Sequence, residues 1–134
     1  QYKSIQDNCF SEQNARMLRM TFDEAVSQFD HQSIDVLHID GSHLYEDVKH
    51  DFDTWKDKVR ETGVILFHDI GSDLLDGKPL ESHLFWTELK QEYPYTLEFP
   101  FSFGLGILLF DKAKYESYKA SFAFTTAPYS ANPL

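Results

Sequence analysis

The fold is decided by one continuous stretch of the chain, SIDVLHIDGSHLYEDVKHDFDTWKDKVRETGVILFHD, which runs from residue 33 to residue 69. Its first part is a short apolar, largely β-branched run that stops at Asp40-Gly41, as a buried strand does. A second apolar run over Val64–Phe67 closes on His68-Asp69. Each run is too short for a helix of ordinary length, so both are predicted to be strands.

Between the two runs, apolar residues recur every three or four positions, which is typical of one face of a helix. These residues are Leu44, Val48, Phe52, Trp55 and Val59. A helix of about fifteen residues between two strands forms a βαβ crossover, in which the strands are parallel. The sequence therefore predicts a parallel pair of strands joined by an amphipathic helix.

Weaker patterns flank this unit. Thr21 is followed three residues later by Glu24, a capping-box signature that predicts a helix to about Phe29. The segment 15–20 is predicted to be a short strand. Downstream we predict a loop over 71–79, a helix over 81–93 ended by Pro94, hairpin strands at 96–99 and 106–110, and a helix over 112–122. Residues 1–15 and 127–134 are expected to be irregular.

The order of these elements predicts one domain over residues 1–134, of the α/β class. Its architecture is expected to be a Rossmann-like three-layer sandwich, with a mostly parallel sheet that ends in an antiparallel C-terminal hairpin. Ligands bind such sheets in the crevice outside the carboxyl ends of the parallel strands. The residues that follow the two apolar runs are therefore the first candidates for function.

Composition excludes several classes of protein. The formal net charge of −10 argues against a nucleic-acid binder, because phosphate groups would be repelled. No apolar stretch approaches the roughly 20 residues needed to span a bilayer. Cys9 is the single cysteine, so neither an internal disulfide nor a cysteine-rich zinc site is expected. This composition suits a cytoplasmic protein without a membrane span.

Acidic and imidazole side chains follow both predicted strands. Neighbouring strands lie about 5 Å apart, so Asp40, His43, His68 and Asp69 are expected to converge on one rim. Two carboxylates with an imidazole suit magnesium, manganese, iron or zinc. An alternative role for Asp69 is that of a cap for a following helix. His38, inside the first strand, is predicted to be a packed core residue, and His50, on the helix, to face solvent.

Four successive motifs resemble one family of enzymes. They are Arg19–Ala25, Ser33–His43, Tyr45–Phe52 and Gly63–Asp69, and Phe103–Leu108 resembles the family's final strand. The family is the class I S-adenosylmethionine-dependent methyltransferases, in a group found alone or fused to bacterial glycosyltransferases and similar to sugar and macrolide O-methyltransferases. The resemblance runs from about Leu18 to Phe110.

The resemblance implies roles for the residues at the strand ends. In metal-dependent members, an acid after the fourth strand and two ligands after the fifth hold a divalent cation that orients the substrate hydroxyls. By position these metal ligands are Asp40, His68 and Asp69, although His68 stands where a carboxylate is usual, and magnesium or manganese is the expected ion. His43 falls where related enzymes carry the catalytic base. The implied cofactor-binding residues are Met20, Thr21, Phe22 and Asp40.

One part of the family pattern is not recognisable in this sequence. The glycine-rich cofactor loop and the acid that grips the cofactor ribose would precede residue 15, and none of the six glycines belongs to a G-x-G-x-x-G motif. We therefore expect the chain to be the C-terminal part of the domain, without its N-terminal strands. The strand that ends at Asp40 would then have an open edge, which favours self-association or cover by an N-terminal segment.

Three functions remain open at this point. The first is an S-adenosylmethionine-dependent O-methyltransferase domain, with a sugar or similar small-molecule hydroxyl as acceptor, that lacks much of its cofactor grip in this fragment. The second is a metal-dependent hydrolase in which the four clustered side chains surround an activated water. The third is a non-catalytic assembly module associated with a glycosyltransferase.

Overall fold

The computed structural model describes residues 15–71, 74–75 and 78–122. The segments 1–14 and 127–134, for which irregular structure is predicted, lie outside these residues. The helices are α1 (Phe22–Ala25), α2 (Tyr45–Trp55), α3 (Ser82–Glu92) and α4 (Lys112–Phe122), with 3₁₀ turns at Val26–Gln28 and Lys56–Lys58. The strands are β1 (Ile34–Ile39), β2 (Val59–His68), β3 (Leu74–Leu75), β4 (Lys78–Pro79), β5 (Thr96–Phe99) and β6 (Leu105–Leu109).

Four of the strands form one sheet in the order β1-β2-β6-β5. The βαβ crossover is confirmed, because β1 and β2 are parallel neighbours joined by α2. The predicted hairpin is confirmed as well, since β5 and β6 are antiparallel. Because β6 also runs antiparallel to β2, strands β1, β2 and β5 share one direction and β6 alone opposes them. The α/β fold class is therefore confirmed, with three strands that point to the same edge of the sheet.

Helices cover both faces of the sheet. On one face, α2 and α3 pack over a core that includes Phe52, Phe67 and Trp86. On the other face, aromatic residues of α4 such as Tyr115 and Tyr118 pack over Val64 and its neighbours. Burial of the apolar faces of these helices stabilises the sandwich by about 25 cal/mol per Å² of apolar surface removed from water. The predicted three-layer arrangement follows from this packing.

Several local predictions need correction. The segment 15–20 forms no strand, because it contains no β-branched residue and makes no ladder with a neighbour. Leu44 lies just before α2 and is exposed, while Val59 begins β2, so the predicted helix face is shorter at both ends. The predicted loop over 71–79 contains a two-residue ladder between β3 and β4.

The main correction within the βαβ unit concerns His38, which was predicted to be a packed core residue. In the structure this residue is exposed. Along β1, Leu37 and Ile39 face α2, whereas Val36 and His38 alternate to the opposite face. Strand β1 lies at the edge of the described sheet, and α4 packs over β2 and β6 on that face, so Val36 remains 58% exposed. Among the described residues no strand pairs with the outer side of β1. Self-association through this edge, or its cover by an N-terminal segment, stays a prediction.

Gly106 in β6 allows the closest contact between the sheet and α3. A methyl group at this position would lie 2.7 Å from an atom of the Trp86 indole, which is 1% exposed. We expect Gly106→Ala to lower the free energy of unfolding by about 1–3 kcal/mol, because the indole cannot move without disturbing the core. Urea denaturation measures this difference. Trp86→Phe in the same background should restore part of the loss, and an unchanged unfolding midpoint in Gly106→Ala would contradict the contact.

No helix among the described residues is both long enough and apolar enough to cross a bilayer.

Candidate active site

The candidate site lies where β1 and β2 end side by side. Ile39 pairs with Phe67 in the parallel ladder, so Asp40, which follows β1, and His68, the last residue of β2, lie at the same level. The Nδ1 atom of His68 lies 3.4 Å from Oδ1 of Asp40. The ends of two parallel strands therefore bring together residues that are 28 positions apart in sequence, as the apolar runs predicted.

Asp69 is the centre of the cluster. Its Oδ1 atom lies 2.9 Å from Nδ1 of His68, and its Oδ2 atom lies 2.7 Å from Nε2 of His43. The residue is 6% exposed, whereas the side chains of His43 and His68 are 37% and 31% exposed. One buried carboxylate thus holds two imidazoles, one on each oxygen, and leaves both rings partly open to a ligand.

The backbone of Asp69 is in the left-handed region, with φ of 58°. Asp is one of the few residue types that tolerate this conformation, and such residues are concentrated at functional sites. Asp69 does not cap a helix, because the next helix in the described part of the chain begins at Ser82. The alternative role as a cap is therefore wrong. The conformation turns the chain sharply at the strand end while the side chain stays buried.

Ser82 connects the two loops of the site and was missed in the sequence. Its hydroxyl donates to the carbonyl oxygen of Asp69 at 2.5 Å, and its backbone N–H donates to the carbonyl oxygen of His43 at 3.0 Å. Ser82 is 3% exposed at the first turn of α3. It therefore positions both residues of the Asp69–His43 pair. Nothing in the local sequence distinguishes it from an ordinary serine at a helix start.

The donor set fits a divalent cation. One ligand atom from each of Asp40, His43 and Asp69 lies within 4.8 Å of the other two. His68 is not in that set of three, but its Nδ1 atom contacts carboxylate oxygens of both Asp40 and Asp69. Ligands at about 2.1 Å from a small cation suit such spacings after modest side-chain adjustment. Two carboxylates with one imidazole are a donor set that magnesium and manganese accept.

The predicted cofactor residues form a turn beside this rim. Thr21 caps α1, because its hydroxyl accepts from the backbone N–H of Glu24 at 3.3 Å and its own N–H donates to the Glu24 carboxylate. The capping box is thereby confirmed, and the Thr21 side chain is engaged in it. The ring of Phe22 lies against Gly41, directly after Asp40. The turn over 20–22 and the end of β1 are therefore in contact.

A largely apolar cavity of about 280 Å³ lies behind this turn. Met20 and Phe22 line it together with Phe29, which follows the 3₁₀ turn Val26–Gln28, and Trp55, the last residue of α2. Asp51 also lines the cavity, and partial burial raises the pKa of its carboxyl above the usual value. Its position immediately before the core residue Phe52 gave no sign of this role. His50, by contrast, is exposed as predicted and pairs with Asp23 at 2.8 Å.

Comparison with known proteins agrees with the geometry. The sequence model of a family described as "Methyltransferase domain" matches residues 3–70, which include both strand ends. The chain is also similar to the uncharacterized protein y4gI of Sinorhizobium fredii (strain NBRC 101917 / NGR234), with 40% identity over 103 residues. That alignment covers 73% of this chain and 10% of the relative, so the chain spans about a tenth of the relative's length. Because the family match covers half of the sequence and carries the strand-end motifs, the chain belongs to the class I S-adenosylmethionine-dependent methyltransferase domains.

Proposed function

We propose that the chain, taken over residues 1–134, forms the acceptor side of an O-methyltransferase domain that methylates a hydroxyl of a sugar or a similar small molecule. The observation that carries this proposal is the cluster at the strand ends, where the buried carboxylate of Asp69 holds His43 on one oxygen and His68 on the other. A base can take the proton of the acceptor hydroxyl, and a divalent cation bound at this edge of the sheet would orient that hydroxyl. Membership of the methyltransferase family supports the transfer of a methyl group.

The ion-binding corner consists of Asp40, His68 and Asp69. The contacts of 3.4 and 2.9 Å from His68 Nδ1 to the two carboxylates support this set, because ligands that share an ion lie at similar separations. A bound divalent cation would orient the acceptor hydroxyl and lower its pKa. Asp69 is buried, so its carboxylate is held in a fixed direction, while the partly exposed Asp40 closes the site from the adjacent strand.

His43 serves as the base in this proposal. Its Nε2–H donates to Asp69 Oδ2, which fixes the tautomer and leaves Nδ1 to take a proton. The acceptor oxygen forms a bond to the methyl carbon while the carbon–sulfur bond breaks and its electron pair goes to sulfur. The hydroxyl proton passes to His43 Nδ1. The protein contributes mainly by positioning, because in-line displacement depends on alignment of the three reacting atoms.

Cofactor recognition is assigned to the turn beside β1. The exposed faces of Met20 and Phe22, which are 37% and 50% exposed, supply apolar contact to the adenine ring. Thr21 shapes the turn through its cap of α1. Asp40, at the end of β1 and next to the Phe22–Gly41 contact, supplies a carboxylate to the same ligand.

Calorimetry with S-adenosylmethionine tests the proposal. A chain extended toward the N-terminus should bind the cofactor, and Phe22→Ala in that chain should weaken binding by about tenfold, because a flat apolar contact is lost. Leu84→Ala removes another exposed apolar side chain, on α3, and should leave the affinity unchanged. Absence of cofactor binding by the extended chain would end the proposal.

A metal-dependent hydrolase remains the second candidate, since it needs the same cluster and no cofactor loop. Manganese-stimulated hydrolysis of 4-nitrophenyl phosphate, without S-adenosylmethionine and lost in Asp40→Ala, would favour it over methyl transfer. A non-catalytic assembly role predicts neither methyl transfer nor hydrolysis.

For the methyltransferase, we also propose a cytoplasmic location and association with a glycosyltransferase.

A further inference from the structure

The loop that joins β5 to β6 exposes two aromatic side chains in an unusual backbone. Phe101 is 66% exposed and Phe103 is 39% exposed. Ser102, Phe103 and Gly104 follow one another with φ of 52°, 65° and 91°. Of these three residues only glycine adopts the left-handed region without strain, so the chain holds a serine and a bulky phenylalanine against their conformational preference.

This loop is fixed to the segment that follows Asp69. The backbone N–H of Gly71 donates to the carbonyl oxygen of Phe103 at 2.6 Å. Gly104 lies so close to Gly71 and Ile70 that an added Cβ would approach the Gly71 nitrogen to 2.9 Å. In the β2–β6 ladder, His68 pairs with Leu105, so the loop continues past the end of β2. The two phenylalanines therefore stand at the same edge of the sheet as Asp69.

The exposed rings do not serve the core in this arrangement. Neither ring belongs to the two core clusters of the described residues, and Phe103 is exposed although its backbone is in the left-handed region. Strained residues of this kind persist where the surrounding structure requires their geometry, and they are concentrated at ligand sites. Two exposed aromatic side chains beside a polar cluster also match the composition of small-molecule sites, where aromatic walls surround a few polar groups.

We propose that Phe101 and Phe103 form an aromatic platform that binds the apolar C–H face of the acceptor's sugar ring. This inference rests on the proposed function for the identity of the reaction and names the part of the acceptor that the site recognises. The platform contacts the ring, and the polar cluster at Asp69 receives the hydroxyl. A hexopyranose with several axial C–H bonds on one face offers the required flat apolar surface.

Saturation-transfer difference NMR on the chain tests the platform without any need for turnover. The probe is methyl β-D-galactopyranoside, with catechol as a flat aromatic diol for comparison. We expect saturation of the sugar's ring C–H protons, a loss of about two- to tenfold in affinity in Phe101→Ala, and a similar loss in Phe103→Ala. Phe101→Tyr keeps the ring and should retain binding. Val36→Ala removes an exposed apolar side chain on β1 and should have no effect.

The outcomes separate this inference from the proposed function. Absence of sugar saturation in the unmodified chain would overturn the platform. Saturation in both alanine variants that is as strong as in the unmodified chain would overturn it as well. Binding of catechol alone through the loop would overturn the sugar assignment. Retained sugar binding in a chain that, even when extended, binds no S-adenosylmethionine would support the platform while the methyltransferase proposal fails. Circular dichroism of each variant confirms that a loss of binding is not a loss of fold.

Discussion

Asp69→Asn is expected to weaken Mn²⁺ binding by about 100-fold, because the charge at the centre of the cluster is removed while its shape is kept. Asn tolerates the left-handed backbone of residue 69, so the substitution leaves the turn at the end of β2 in place. Both imidazoles also lose the carboxylate that orients them. Calorimetric titration of the chain with Mn²⁺ measures the change directly.

The matched control for this substitution is Asp57→Asn. Asp57 is exposed and lies just before β2, at the opposite end of the strand from Asp69. It undergoes the same chemical change with the same loss of one negative charge, so any effect of net charge on Mn²⁺ affinity appears equally in both variants. An Asp69→Asn chain that binds Mn²⁺ as tightly as Asp57→Asn would rule out the ion-binding corner.

Comparison of Asp69→Ala with Asp69→Asn separates the effect of backbone strain on stability from the effect of losing the charge. Asp69→Ala should lower the free energy of unfolding by about 2–3 kcal/mol, because two hydrogen bonds from imidazoles are lost and alanine is strained at positive φ. Asp69→Asn should cost less than half of this, since it avoids the strain. Urea denaturation of the two variants at neutral pH gives the comparison. Equal stability of the two variants would mean that the turn carries no strain.

The strand ends were predictable because they depend on local pattern. Two apolar runs that stop at Asp40 and at His68-Asp69 define strands, and the crossover rule makes them parallel, so the meeting of these side chains follows from topology. The capping box at Thr21 is equally local and was confirmed. Features of this kind can be predicted from residue type and spacing alone.

The details that make the cluster a site were not predictable in the same way. The burial of Asp69 depends on how α3 approaches the sheet, and the two hydrogen bonds of Ser82 depend on where α3 begins relative to Asp69 and His43. The sequence predicts a core position for His38, because a parallel sheet is usually covered on both faces of its strands. No described helix covers the His38 face of β1, because β1 lies at the edge of the described sheet and α4 packs over β2 and β6. That arrangement is a property of the whole sheet and not of residues 33–41.

The roles of the two imidazoles are the point on which the mechanism depends. Geometry alone allows both assignments, because His43 belongs to the set of ligand atoms that lie within 4.8 Å of one another, while His68 contacts both carboxylates. The two rings contact different oxygens of Asp69. A single carboxylate can therefore orient a base through Oδ2 and hold an ion through Oδ1 at the same time.

His43→Gln and His68→Gln are expected to have opposite effects. Glutamine at 43 can still donate to Asp69 but cannot take a proton, so kcat for methyl transfer by the extended chain should fall by about 10²- to 10⁴-fold with little change in KM. The Mn²⁺ affinity of His43→Gln should stay within about threefold of that of the unmodified chain. In contrast, His68→Gln should weaken Mn²⁺ binding by about 10- to 100-fold. Calorimetry measures the affinities, and release of S-adenosylhomocysteine with a hexopyranoside acceptor measures turnover. If His43→Gln weakened Mn²⁺ binding and His68→Gln did not, His43 would be the ligand, and the base would have to be sought in His68, the other ring that Asp69 holds.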